Sequence, residues 1–180
     1  MTTPGAGTTG PHGAAGVRLG PLGGSLGPLG GPQAAEGIRA VLDRTYAAIL
    51  PGLTRNDNAL LLNPAGDPGS GPSPVARLME YSDITTVVSS ARRGSLLGVI
   101  ERAWLSFGYV IDEVNGDFSM PSMDVRTPDG YGVQLNVGAP GNVYFLVSSP
   151  LIRRPADTFA YSQPLVPTQL PDVDHPFWSH

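Results

Sequence analysis

Few residues in this chain are equipped for chemistry. Cysteine is absent, which removes thiol nucleophiles, disulfides and thiolate metal sites together. Lysine is absent as well, and all eleven basic residues are Arg. A Lys nucleophile, a Schiff base and a P-loop lysine are therefore excluded. The three histidines, His12, His175 and His180, lie near the chain ends, so a Ser-His-Asp triad would need a terminus to fold back over the middle. Asp172, Asp174 and His175 are of metal-ligand type, but the sequence shows no rigid scaffold or outer shell around them. No metal and no cofactor are expected. Carboxylates remain: Glu80, Asp83, Glu101, Asp112, Glu113, Asp117, Asp124 and Asp129. Two of them could serve as the acid and base of a small hydrolase acting on a glycan or an ester, yet no pair is marked by its spacing. Asp117 and Asp129 sit in turn sequences, where Asp supports local hydrogen bonds. No catalytic residue is assigned.

The elements that must position these residues centre on Asp129 to Arg154. Tyr131, Val133, Leu135 and Val137 alternate with Gly132, Gln134, Asn136 and Gly138, the period of a half-buried antiparallel strand. A turn at 138–142 follows. Val143 to Ser148 is apolar on both faces and reads as the more central strand; Pro150 ends it. Gln134 and Asn136 mark the polar face of this hairpin and are its candidate interaction residues.

Two helices are expected to cover the apolar face. One runs over 34–50, with Ile38, Leu42, Tyr46, Ile49 and Leu50 as its stripe. The other carries Leu96, Ile100, Ala103, Trp104 and Phe107, with Ser95 as N-cap and Gly108 past its end. Trp104 reads as a core anchor. Short strands are expected at 58–63 and 109–114, an extended stretch at 77–89, and a strand at 122–127. An Asn115-Gly116 turn and a Thr127-Gly130 turn link the later strands. The fold class is α+β: a two-layer sandwich with about two helices on one face of an antiparallel sheet of four to six strands, flanked by Gly/Pro-rich tails.

The chain contains 24 glycines and 19 prolines, and they divide it. Residues 1–33 form a low-complexity arm expected to be disordered, 34–154 the core domain, and 155–180 a Pro-rich tail expected either to be partly disordered or to lie extended across the core through its aromatic residues. The arm repeats Leu-Gly-Pro-Leu-Gly-Gly at 19–24 and 26–31. Its leucines, Leu22 and Leu29 among them, exceed what a spacer needs and suggest a docking peptide. Phe177 and Trp178 are the matching candidates in the tail. The internal loop at 63–74 is Gly-rich but has four prolines and no following Lys-Ser/Thr, so it does not read as a phosphate cradle.

Net charge is −4, without a basic face, so nucleic acid is not an expected partner. There is no apolar run long enough to span a membrane. The first residues lack a cationic and an apolar signal region, so the chain as written is expected in the cytoplasm, while a truncated N-terminus would admit the cell envelope.

Gly108-Tyr109, Thr127-Pro128-Asp129-Gly130-Tyr131, Val133 to Val137 and Ser148-Ser149-Pro150 together resemble a loose group of small actinobacterial secreted proteins and lipoproteins of unknown function. The resemblance covers residues 108–150. It implies a helix ending in glycine followed by short strands, and brings no catalytic residues. Leu151 stands where that group often has Cys. The sequence leaves three readings of function: a non-catalytic protein-interaction or accessory module, with a protein partner reached through the tails; a small carboxylate-dependent hydrolase; and a phage or assembly accessory protein.

Overall fold

A computed structural model describes residues 29–65, 73–156 and 169–180. Most of the expected N-terminal arm, Leu22 included, lies outside the described residues, as do most of the 63–74 loop and residues 157–168.

The order is α1 (Gly31–Ala47), β1 (Arg55–Asp57), β2 (Leu61–Pro64), β3 (Val75–Ile84), α2 (Ser90–Ser106), β4 (Val110–Asn115), β5 (Ser122–Arg126), β6 (Gly132–Val137), β7 (Val143–Ser148) and β8 (Ile152–Arg153). Both helices pack on one face of an antiparallel sheet, the α+β sandwich expected. The sheet has eight strands, more than the four to six read from sequence, because β1 and β8 are too short to leave a pattern of their own. Its order is β1-β3-β7-β6-β5-β4, with β2 and β8 also paired to β3. β7 lies between β3 and β6, as its two apolar faces require.

The pleat sets the two faces. Val133, Leu135 and Val137 of β6 and Val143, Phe145 and Val147 of β7 point toward the helices and are buried. Ile38, Val41 and Leu42 of α1 and Leu96, Ile100 and Trp104 of α2 close over them. Trp104 donates from Nε1 to Thr45 Oγ1 at 3.0 Å, and Thr45 donates in turn to the Val41 carbonyl at 2.9 Å. The buried indole N–H is thereby satisfied.

Helix bounds differ from the sequence reading for local reasons. α1 begins at Gly31, inside the second Leu-Gly-Pro-Leu-Gly-Gly copy. Pro32 occupies the first turn, where a missing N–H costs nothing, and Gln33 Oε1 accepts the Gly30 N–H at 3.1 Å. The helix stops at Ala47, so Leu50 falls outside the stripe and is exposed. α2 begins six residues earlier than expected, with Ser89 rather than Ser95 at the N-cap. At its other end Gly108 takes φ +79, and the Tyr109 N–H reaches back to the Trp104 carbonyl at 3.0 Å, which completes the cap.

The last described segment packs on the core through the aromatic end of the tail. Val173 bridges Thr86, the Ser89 N–H bonds the Trp178 carbonyl at 2.9 Å, and Trp178 is 1% exposed within the hydrophobic core. Its indole donates to the Pro51 carbonyl at 2.8 Å. Residues 169–180 therefore lie along the β3–α2 connection and supply core.

Candidate functional site

The open face of the sheet carries the polar residues that alternate with the core. Here lie Met79, Tyr81 and Asp83 of β3, Tyr144, Leu146 and Ser148 of β7, Gln134 and Asn136 of β6, and Asp124 and Arg126 of β5. Gly132 has no side chain to fill this face; a β-carbon there would crowd Ser148 Oγ. The result is a cleft of about 270 Å³. Met79 and Leu146 form one side, and Asp112, Glu113 and Asp124 the other. A register shift between Ile111 and Glu113 leaves Asp112 as the extra residue of a β-bulge, a device that bends an edge strand and re-aims its side chains.

Hydrogen bonds already occupy part of this acidic wall. Gln134 Nε2 donates to Asp124 Oδ2 at 2.9 Å. Arg126 pairs with Asp112, and its hydrogen bond holds the Asp112 carboxyl below the usual range. Asn136 lies farther along β6, between Ser122 and Tyr144 in register. Gln134 thus lines the cleft and Asn136 flanks it.

The two buried acids of β3 do not join them in one site. Glu80 and Asp83 are three residues apart on a strand, so they face opposite sides of the sheet. Asp83, 1% exposed, accepts from Asn58 Nδ2 at 2.9 Å and from the Gln169 N–H at 3.2 Å. Glu80, 4% exposed, turns toward α1, with Oε2 unpartnered. Next to it on the inner face, Ser82 donates to Asp57 at 2.5 Å and lies 3.0 Å from the Tyr46 hydroxyl. Arg55 spans Asp57 at 3.0 Å and Asp43 at 2.5 Å. Burial raises the Glu80 carboxyl to about 7, and Asp57 adds to the rise. This cluster ties α1 and β1 to β3.

The remaining residues singled out in sequence go to different places. Leu29 bridges Ile152 and packs partly buried against the core. Trp178 is core, so it offers no surface. Phe177 is partly exposed, stacked edge-on against Trp178 at 4.8 Å and covered by the Arg92 guanidinium at 4.3 Å. His175 Nδ1 accepts the N–H groups of Phe177 and Trp178 at 3.1 and 3.3 Å, which makes it part of a turn. Among the described residues no group of three His, Asp or Glu is arranged to hold a metal ion.

One edge of the sheet, β4, is paired on its outer side by no described strand and was not singled out in the sequence. β4 ends the strand order and is exposed along nearly its whole length. Val110 and Val114 stand open on it, and Phe118, at 102% exposure, and Met120 project from the β4–β5 connection. Asp117 accepts the N–H groups of Ser119 and Met120 at 2.8 and 3.0 Å and so organises that connection. The signal was present: β4 pairs large apolar residues with no second apolar face to receive them.

No family model matches the chain, and no curated protein matches it. Among solved structures it is similar to the "putative lipoprotein LppA" of Mycobacterium tuberculosis, with 12% identity, a TM-score of 0.42, and coverage of 78% of this chain and 85% of that one. It is also similar to a DUF4853 family protein from Actinomyces odontolyticus, with 14% identity, a TM-score of 0.40, and coverage of 77% and 76%. Both neighbours are actinobacterial, in keeping with the resemblance over residues 108–150, and neither likeness is close enough to carry a function across.

Proposed function

We propose that the protein is a non-catalytic interaction module that takes up an extended segment of a partner protein by strand addition at β4. The observation that supports this reading is the β4 edge, exposed and flanked by Val114 at 58% and Phe118 at 102% exposure. A free edge presents unpaired backbone N–H and C=O groups to an incoming strand. Exposed apolar side chains alongside give that strand something to bury. Asp112 and Glu113 on the same strand, in a chain of net charge −4, select for a segment that alternates apolar with basic side chains. An Arg or Lys reaching over the rim would enter the cleft beside Glu113, Asp124 and Gln134. Pairing β4 with β4 of a second copy would instead gather like charges, which is unfavourable. The first arm repeat, with Leu22, and the partly exposed Phe177 are secondary candidate contacts.

The test is selection of peptides from a random display library on the purified full chain. Selected sequences are expected to alternate apolar and basic residues and to lose binding to Val114→Asp and Phe118→Asp. Glu113→Arg is expected to shift the selection toward acidic peptides. Binders indifferent to Val114→Asp and Phe118→Asp would sink the reading, as would no binders at all.

A further inference from the structure

A second cavity, of about 190 Å³, opens on the helix-bearing side between α1 and the Thr127–Gly130 turn. Ala40, Val41 and Pro128 form its apolar lining. Two tyrosines also line it. Tyr109 is 6% exposed and Tyr131 is 7% exposed, and neither hydroxyl donates to a protein acceptor among the described residues. Arg44 and Asp129 stand at the same cavity. Neither is in an ion pair among the described residues. The Arg44 guanidinium is held over the Phe107 ring at 3.9 Å, which limits its freedom before any ligand arrives.

We propose that this cavity binds a small α-amino acid, its carboxylate taken by Arg44 and the Tyr109 and Tyr131 hydroxyls, its ammonium by Asp129. A cation and two hydroxyl groups that donate to no described protein acceptor around one space suit an oxygen anion, which can accept from all three. Asp129 at the same cavity, in no ion pair among the described residues, suits a cation. The volume limits the ligand to a small molecule. Burial raises both tyrosine hydroxyls above their ordinary value, so both are present as donors at neutral pH.

Calorimetric titration of the full chain with L-alanine and L-leucine at millimolar concentration tests this, with propionate and ethylamine as single-charge controls. Saturable binding is expected for at least one amino acid, and weaker binding for both controls. Arg44→Gln and the conservative Tyr109→Phe and Tyr131→Phe are each expected to weaken binding about tenfold or more, the scale of a lost charge-assisted hydrogen bond. Asp129→Asn is expected to weaken amino-acid binding and leave propionate binding unchanged. Arg44 and Asp129 are exposed, so their variants are expected to fold as the parent does, and a melting curve on each checks it. The proposal fails if neither amino acid binds, if propionate binds as tightly as alanine, or if folded Arg44→Gln binds undiminished.

Discussion

Glu80 is an acid enclosed where only distant charges answer it. Arg39 and Arg55 favour its ionised form, while burial, Asp57 and Asp43 oppose it, and the carboxyl titrates at about 7 instead of 4.5. A folded-state value raised above the unfolded one means that the unfolded chain releases its proton first as pH rises. Stability is therefore undiminished below about 4.5, falls between 4.5 and about 7, and stays reduced above. The loss is on the order of 2–3 kcal/mol after allowance for screening. Denaturant titrations at pH 4.5 and pH 8 should show it, and Glu80→Gln should remove most of it and raise stability at pH 8. Gly37 makes a simpler prediction. A β-carbon there would overlap the Tyr131 hydroxyl, so Gly37→Ala should cost about 1–3 kcal/mol as an overpacking substitution, read from the shift in urea midpoint. The Glu80 environment was partly legible. Ala76, Leu78, Glu80, Ser82 and Ile84 share one face of an alternating run, and a lone Glu among them marks burial. The partners Asp57 and Arg55 were not legible, because β1 is only three residues long.

Among the elements, the hairpin of β6 and β7 and the stripe of α2 were readable because each carries its own period. The sequence also placed Trp104 in the core, where it is. The last twelve residues could not be placed by pattern. Prolines and acids at 171–176 resemble a solvated tail, and their order comes from contacts with Thr85, Thr86 and Ser89, far away in sequence. A segment that adds a fully buried Trp to the core is part of the fold. Trp178→Ala is expected to cost about 3–5 kcal/mol and Phe177→Ala much less, both measured by chemical denaturation. Removing residues 169–180 should lower the melting temperature at least as much as Trp178→Ala. The cavity between α1 and the Thr127–Gly130 turn was also hidden, since Arg44, Tyr109 and Asp129 come from three elements that only the packing brings together.

At the scale of the molecule, strand order was the part least open to a sequence reading. β3 pairs along one edge with β7 and β8 and along the other with β1 and β2, so half the sheet depends on contacts made across long stretches of chain. Amide exchange should follow this plan. The slowest amides are expected in β3, β6 and β7, and the fastest strand amides in β4, whose outer edge no described residue covers.

The position of β3 has a consequence for synthesis. It leaves the ribosome complete about sixty residues before β7 begins, an interval of several seconds at typical elongation rates of roughly 5–20 residues per second. During that interval β1 and β2 can pair one edge of β3, but the edge that will receive β7 stays open, the kind of segment that aggregates. Arg77, Glu80 and Asp83 interrupt the apolar run of β3 with charge. The acid that costs the finished protein stability above neutral pH therefore also protects the nascent chain, and Glu80→Leu should raise the melting temperature while lowering the soluble yield on expression.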